Sequence, residues 1–472
     1  MTTAATHIDL YQLTSLVPHW DVGLAGKRGV MSFFSRRLPK READGQPARG
    51  FLVWAGRRRA LDWLRDARFD EAALDALQAH PLLGPALRAR PGLVQALRDW
   101  RFAGRVWSPA EGTPLFAGVA TDLSGAQLDI DGVRPNAQCP YLVVECDLLT
   151  AKLVETPLLS IINHMSMVAT KAAAVVRAAE GRPVLEFGQR RTHPEAAVDA
   201  AYAAWVGGVA ATSNVAAYVR YGVPVAGTMD HFAVQAWERD GVPRHVTERA
   251  FFEHFFGVYG PAATLLVDTY DTFGEETGLR AAVAATGGRL GGVRIDSGVT
   301  VQNIRRARAL LDALGAPQAK ITVSGGLDEE VIKTLNTSPV DAYGVGERIV
   351  TSSDAPVGVG AVAKLAEVDG RPTMKLSRGS GKATLPGRVQ VFRSPGGVDV
   401  VGLHDEDLDG EPLLQLAWDA QGPVHDANPP SPPERLRAAL AAMPPEALVP
   451  REAKVAVSQR LQDLITSLVR SA

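Results

Sequence analysis

Between about residues 180 and 350 the chain repeats one local pattern seven times, and this repetition restricts its possible folds more than any other feature. Short β-branched or apolar runs end in glycine or polar residues, and a helix-like stretch follows each. The runs are "RPVLEFGQRR", "GGVAATSN", "VPVAGTMDH", "ATLLVDTYD", "LGGVRIDSG", "AKITVSGGLD" and "VDAYGVGERI", with spacers such as "HPEAAVDAAYAAWV" and "NIRRARALLDALG". A strand that is apolar throughout, rather than alternating, is buried on both faces, which is the state of a parallel sheet covered by helices. Seven such units, or eight with one unrecognised, fit a closed α/β barrel better than an open sheet. Spacing alone leaves a doubly wound sheet open.

The flanking regions read differently. Residues 1–145 mix strand-like pieces ("GVMSFFSRRL", "RGFLVWAG") with helical ones ("PALRARPGLVQALRDW"), the mark of an α+β domain. Residues 146–365 form the barrel domain, entered through long helices in "VVECDLLTAKLVETPLLSIINHMSMVATKAAAVVRAAEG". Residues 366–472 form a C-terminal extension, expected to pack on the N-terminal domain. It has strand signals ("GRVQVFRSPGGVDVVGLHDE"), a proline-rich break ("NPPSPPE") and a final amphipathic helical segment, "KVAVSQRLQDLITSLV".

At 472 residues, with 46% hydrophobic and 22% charged residues, the chain has the composition of a globular enzyme. A formal net charge of −2 supplies no basic field for nucleic acid or an anionic membrane. The spacing of Cys139 and Cys146 fits no zinc or redox motif, so two buried, reduced thiols are expected. The N-terminus lacks the basic and apolar regions of a signal peptide, and no uninterrupted apolar stretch reaches about 18 residues. A cytoplasmic location is expected.

The polar residues gather at the C-terminal ends of the seven runs, the face on which barrels place active sites. "DTYDT" offers Asp268 and Asp271, and "RIDSG" offers Arg294 and Asp296. Such aspartates cap turns, or they hold Mg²⁺ together with substrate phosphates. An arginine beside them faces an anion or stacks on a flat ring. "SGGLD" and "GVGER" bring Ser324, Gly325, Gly326, Gly344 and Gly346, either as tight turns or as backbone that lets phosphate approach a helix start. "EFGQRR" puts Phe187, Arg190 and Arg191 where a ring and guanidinium groups suit an aromatic, negatively charged substrate. His231 could be a base, a metal ligand or a phosphoryl acceptor, with Asp230 and Asp268 able to orient it.

Ten stretches, in order, resemble nicotinate phosphoribosyltransferases: "DLYQLT", "FFSRR", "VETPLLSIIN", "EFGQRR", "GGVAATSNVAAYVRYGVPVAGTMDH", "LLVDTYDT", "VRIDSG", "SGGLDE", the stretch from "DAYGVGERIVTS" to "DAP", and "MKLS". The resemblance covers nearly the whole chain, from Asp9 to about Arg393. The resemblance implies the fold of type II phosphoribosyltransferases, an α/β barrel with a flanking N-terminal α+β domain and a C-terminal extension. It implies that nicotinate and 5-phosphoribosyl 1-pyrophosphate are joined to give nicotinate mononucleotide and pyrophosphate, with ATP as co-substrate and Mg²⁺ as cofactor.

Residue by residue, the resemblance makes His231 the histidine that ATP phosphorylates, Asp268 the carboxylate orienting it, and Asp296 the one facing magnesium, with Asp268 beside it. Phe187 and Arg294 would stack on the pyridine ring, with Arg190 near its carboxylate. Ser213 stands where relatives that use the amide carry an aspartate. Ser324, Gly325, Gly326, Gly344 and Gly346 would cradle the ribose 5-phosphate. Tyr11 would close the ring site of a neighbouring subunit, which implies a homodimer with shared active sites. The chain departs from the family pattern at Asp230, where a small residue is usual, at Phe232, where serine is usual, and at Val299, where a second aspartate is common. Rival readings are a nicotinamide phosphoribosyltransferase, a phosphosugar lyase and a non-catalytic phosphosugar-binding protein. A Schiff-base lyase needs a lysine at a strand's C-terminal end, whereas Lys320 precedes its strand and Lys333 falls on a helix.

Overall fold

In each repeat of the 180–350 region a glycine or polar residue ends the apolar run after a few positions, so the strands are short. The computed structural model describes residues 5–40, 44–351, 359–424 and 429–472. The strands are Val184–Glu186, Ala211–Thr212, Thr264–Leu266, Gly292–Ile295, Lys320–Ser324 and Ala342–Val345. All pair in parallel. Leu265, Leu266, Val293, Ile321, Val323, Tyr343 and Val345 are fully buried, as a sheet covered on both faces requires.

Ala342–Val345 pairs back onto Val184–Glu186, so the strands neighbour one another in cyclic sequence order, the topology of a barrel. A lone parallel bridge from Thr212 to Val225 adds one more segment beside Ala211–Thr212. Among the described residues nothing pairs that segment with Thr264–Leu266, which leaves a mixed α/β half-barrel with one open seam. The cause is local. Pro224 has no N–H to donate and Gly222 sits at φ +74°, so "VPVAGTMDH" makes one bridge and no longer strand.

The helices between strands begin on side-chain caps. Asn214, Thr300 and Asp328 accept from the N–H groups of Ala217, Asn303 and Val331. Val301–Ala313 buries Ile304, Ala307 and Leu311, a single stripe at helical spacing.

The chain divides into two compact units, Lys171–Ser352 and a second made of Met1–Thr170 with Ser353–Ala472. These limits differ from the sequence-based ones at 145 and 365 for two reasons. Leu148–Ala178 is one continuous helix that begins just past residue 145 and carries the chain through the limit at Thr170. The strand Ala361–Val368, which contains residue 365, pairs with Arg28–Ser35. C-terminal strands complete sheets begun by N-terminal ones: Gln415–Asp419 pairs with Arg105–Ser108, and Ala453–Val457 with Ala117–Thr121. "KVAVSQRLQDLITSLV" is therefore part strand and part helix. Val455 and Val457 alternate inward on the strand, and Ser458 caps the helix Gln459–Arg470, which buries Leu461, Ile465 and Val469.

The 31-residue helix Leu148–Ala178 is long and apolar enough to cross a membrane by length and composition alone, although Lys152, Glu155 and Lys171 interrupt it. It is a core helix, with 61% of its apolar stretch buried inside the protein. Cys139 and Cys146 are buried free thiols, and burial raises the pKa of both.

Candidate active site

Because the strands of Lys171–Ser352 run parallel, their C-terminal ends share one edge, and the sequence-predicted residues of this unit lie along it. Ser324 is in register with Gly344. Asp268 Oδ2 accepts the backbone N–H of Asp296 at 3.0 Å, and the Asp296 carboxylate accepts the Ser324 hydroxyl in a very short bond. Three successive strand ends are thus tied together through two carboxylates. The Asp268 side chain is only 3% exposed, and its Oδ1 is buried without a hydrogen-bond partner.

Arg294 Nη1 donates to Thr228 Oγ1 at 2.7 Å and to the carbonyl of Met229 at 3.1 Å. Its Nε is buried and unpartnered. Burial holds the guanidinium below its ordinary pKa, while Asp296 and Asp268 act in the opposite direction. The residues just before His231 therefore anchor the arginine.

His231 opens a short helix, His231–Gln235, rather than ending a strand. Its Nδ1 lies 3.1 Å from Thr269 Oγ1, and its Nε2 lies 4.0 Å from Asp268 Oδ1, beyond hydrogen-bond range. Asp230 does not orient the ring. It caps the helix, accepting from Ala233 N–H at 2.9 Å. Asp271 is likewise turn chemistry, accepting from Phe273 N–H at 2.9 Å. Thr269 escaped the sequence reading because a threonine beside an aspartate has no pattern of its own.

Gly325 (φ +97°) and Gly326 (φ +65°) take left-handed conformations, and a Cβ on Gly325 would strike the Asp296 carbonyl. Among the described residues neither amide N–H donates to another group. Asp328 already caps the helix Glu329–Leu335 behind this turn, so backbone amides and not a free helix terminus face outward. Gly346 precedes the single helical turn Glu347–Val350. Gly344 lies under Phe187, and a Cβ there would overlap the Phe187 ring.

Phe187 is half-buried and its N–H donates to Val345 O at 2.9 Å, whereas Arg190 is exposed on the 3-10 turn Gln189–Arg191. Arg191 lies 3.8 Å from Glu347 on the surface. Ser213 is half-buried beyond Ala211–Thr212, its N–H held by Glu186 O at 2.9 Å. Tyr11 belongs to the other unit, on the helix Leu10–Asp21. It is 53% exposed there, and its hydroxyl accepts from Gln12 Nε2 at 3.0 Å. The "DAP" triplet, residues 354–356, lies outside the described residues.

Sequence reasoning also passed over Glu186. It is 1% exposed, and its carboxylate accepts from the Thr212 hydroxyl at 2.6 Å and from Gly188 N–H. The signal was present, since a charged residue inside the buried run "VLEF" must be satisfied internally. Lys320 opens its strand at the opposite end from Ser324 and pairs with Asp341 at 3.0 Å, while Lys333 pairs with Glu330 on a helix.

Among the described residues no three His, Cys, Asp or Glu side chains gather to hold a metal by themselves. The open Asp268 oxygen with Asp296 fits a Mg²⁺ ion completed by ligand phosphates and water, the mode magnesium favours. One edge thus carries an anchored guanidinium, an open buried oxygen, an imidazole, a hydroxyl and a turn of free amides. Such an edge can hold a phosphorylated anion beside a flat ring.

A sequence profile of the Nicotinate phosphoribosyltransferase (NAPRTase) family matches residues 183–394. Nicotinate phosphoribosyltransferase pncB1 of Mycobacterium tuberculosis (strain ATCC 25618 / H37Rv) is 41% identical over 385 residues, covering 82% of this chain and 77% of the relative. Nicotinate phosphoribosyltransferase of Bacillus subtilis (strain 168) is 34% identical over 438 residues, covering 89% and 79%. The crystal structure of human Nicotinic Acid Phosphoribosyltransferase superposes with a TM-score of 0.75 at 26% identity, covering 98% of this chain and 99% of that one. The ordered strand-end residues and these likenesses agree, and the chain belongs to the nicotinate phosphoribosyltransferase family.

Proposed function

We propose that this protein is a nicotinate phosphoribosyltransferase of pyridine nucleotide biosynthesis. It joins nicotinate to 5-phosphoribosyl 1-pyrophosphate and releases nicotinate mononucleotide and pyrophosphate. One observation carries the reading beyond family membership: the Asp268–Asp296–Ser324 linkage, with Arg294 alongside and free glycine amides beyond it. In the reaction the pyridine nitrogen bonds to ribose C1 as the C1–O bond breaks, and that electron pair leaves with pyrophosphate. Such a transfer rests on positioning both partners and on stabilising the departing charge.

Phe187 and Arg294 would sandwich the ring, and Arg190 with Ser213 would meet its carboxylate. The amides of Gly325 and Gly326, with Ser324 and Gly346, would receive the ribose 5-phosphate. Asp268 and Asp296 would hold Mg²⁺, whose positive charge neutralises pyrophosphate oxygens when bound. ATP would be the co-substrate, its γ-phosphoryl group passing to His231 with ADP leaving. Thr269 engages Nδ1, which leaves Nε2 as the acceptor. Exposed Tyr11 would serve the base site of a second subunit in a homodimer.

Incubation with nicotinate or nicotinamide, 5-phosphoribosyl 1-pyrophosphate, Mg²⁺ and ATP, followed by product mass, tests the proposal. Nicotinate mononucleotide is expected. The amide nucleotide as sole product, or no nucleotide, would overturn it.

A further inference from the structure

Glu186 is 1% exposed on a strand buried in the sheet, and among the described residues its carboxylate has no cationic partner. Such a charge survives only where hydrogen bonds replace water. Oε1 accepts from Gly188 N–H, and Oε2 accepts from the Thr212 hydroxyl at 2.6 Å. Thr212 Oγ1 in turn accepts from Asn214 N–H at 3.0 Å, and Asn214 Oδ1 caps the next helix through Ala217 N–H at 2.9 Å. The main-chain carbonyl of Glu186 holds Ser213 N–H at 2.9 Å. Gly188 admits no side chain, because a Cβ would strike Val350 and the Glu186 carboxylate itself.

One buried side chain thus spans two neighbouring strand exits. The first exit carries Phe187 and the turn bearing Arg190; the second carries Ser213. We infer that Glu186 is a positioning residue for base recognition, fixing the ring-stacking and carboxylate-facing halves of the pocket to each other through Gly188 and Thr212. The inference rests on assigning Phe187, Arg190 and Ser213 to nicotinate. Glu186 touches no substrate, and the ribose-phosphate turn lies on other strands.

Glu186→Gln keeps the volume but replaces one carboxylate oxygen with an amide NH₂, so either Gly188 N–H or the Thr212 hydroxyl loses its acceptor. Thr212→Val removes the other partner, and Thr212→Ser restores its hydroxyl. Steady-state kinetics with each substrate varied should show the nicotinate KM rising about tenfold or more in Glu186→Gln and Thr212→Val, with the 5-phosphoribosyl 1-pyrophosphate KM within about twofold. Thr212→Ser should stay near the unmodified protein. A nicotinate KM within about twofold in the folded variants, or both KM values rising together, overturns the inference. Should Glu186→Gln not fold, Thr212→Val decides alone by the same split. If the unmodified protein makes no nicotinate mononucleotide, the proposed function itself fails; unmodified activity with an unmoved split removes only the role of Glu186.

Discussion

Gly344→Ala separates two roles for one glycine. As part of a phosphate cradle, Gly344 would govern the sugar substrate. The structure puts its missing side chain against Phe187 instead: an added methyl would overlap Cε2 and Cδ2 of the ring and reach 3.0 Å from Ser324 Cβ. The Phe187 main chain cannot retreat, since its N–H is held by Val345 O at 2.9 Å and the next N–H by Glu186. The ring must therefore swing outward by about 1 Å to regain ordinary contact distances. Overpacking of this kind costs ~1–3 kcal/mol. Phe187 is half-buried, so its open side takes the displacement, and that side is the space proposed for the base. A misplacement of about 1 Å costs on the order of 100-fold in rate. That is ~2.7 kcal/mol, so lost base positioning can absorb the whole strain. With each substrate varied in turn, kcat/KM for nicotinate should fall about 30- to 100-fold, and the 5-phosphoribosyl 1-pyrophosphate KM should move less than about twofold. A raised sugar KM with an unchanged nicotinate KM would refute the reasoning.

Three further substitutions probe the rest of the edge. His231→Ala should abolish acid-labile labelling from γ-labelled ATP yet leave ATP-independent transfer, because base and sugar contacts lie elsewhere; full labelling would remove His231 from that role. Asp296→Asn should lose turnover and its response to Mg²⁺ with little change in thermal midpoint, whereas unchanged metal dependence would reduce Asp296 to a partner of Ser324. Ser213→Asp should weaken nicotinate use far more than nicotinamide use. Two like charges ~4 Å apart repel by up to ~4 kcal/mol at an effective dielectric of 20, enough for a hundredfold or greater change in selectivity, and equal kcat/KM for both bases in the unmodified protein would overturn the acid preference.

Strand-end chemistry was legible because a parallel strand buried on both faces is apolar until it exits, so Asp268, Arg294, Asp296 and Ser324 stand out against their runs. Their division of labour was not legible. Asp230 and Asp268 flank His231 equally well on paper, yet the backbone of a short helix takes Asp230 as its cap. Thr269 meets the imidazole only because the exit from Thr264–Leu266 passes the start of that helix. Glu186 shows as a charge inside a buried run, but its role does not: Thr212, a plain residue, reaches its carboxylate only when two strands pair.

From sequence alone came the repeat, its parallel sense, the face carrying the chemistry and the resemblance to a family, since each depends on local pattern and order. Tertiary structure alone decided that Ala342–Val345 returns to Val184–Glu186, that one seam stays open after Val225, and that strands from both chain ends complete shared sheets. Pairing between distant strands is chosen by register and by which backbone groups still lack partners. No short window of residues contains that choice.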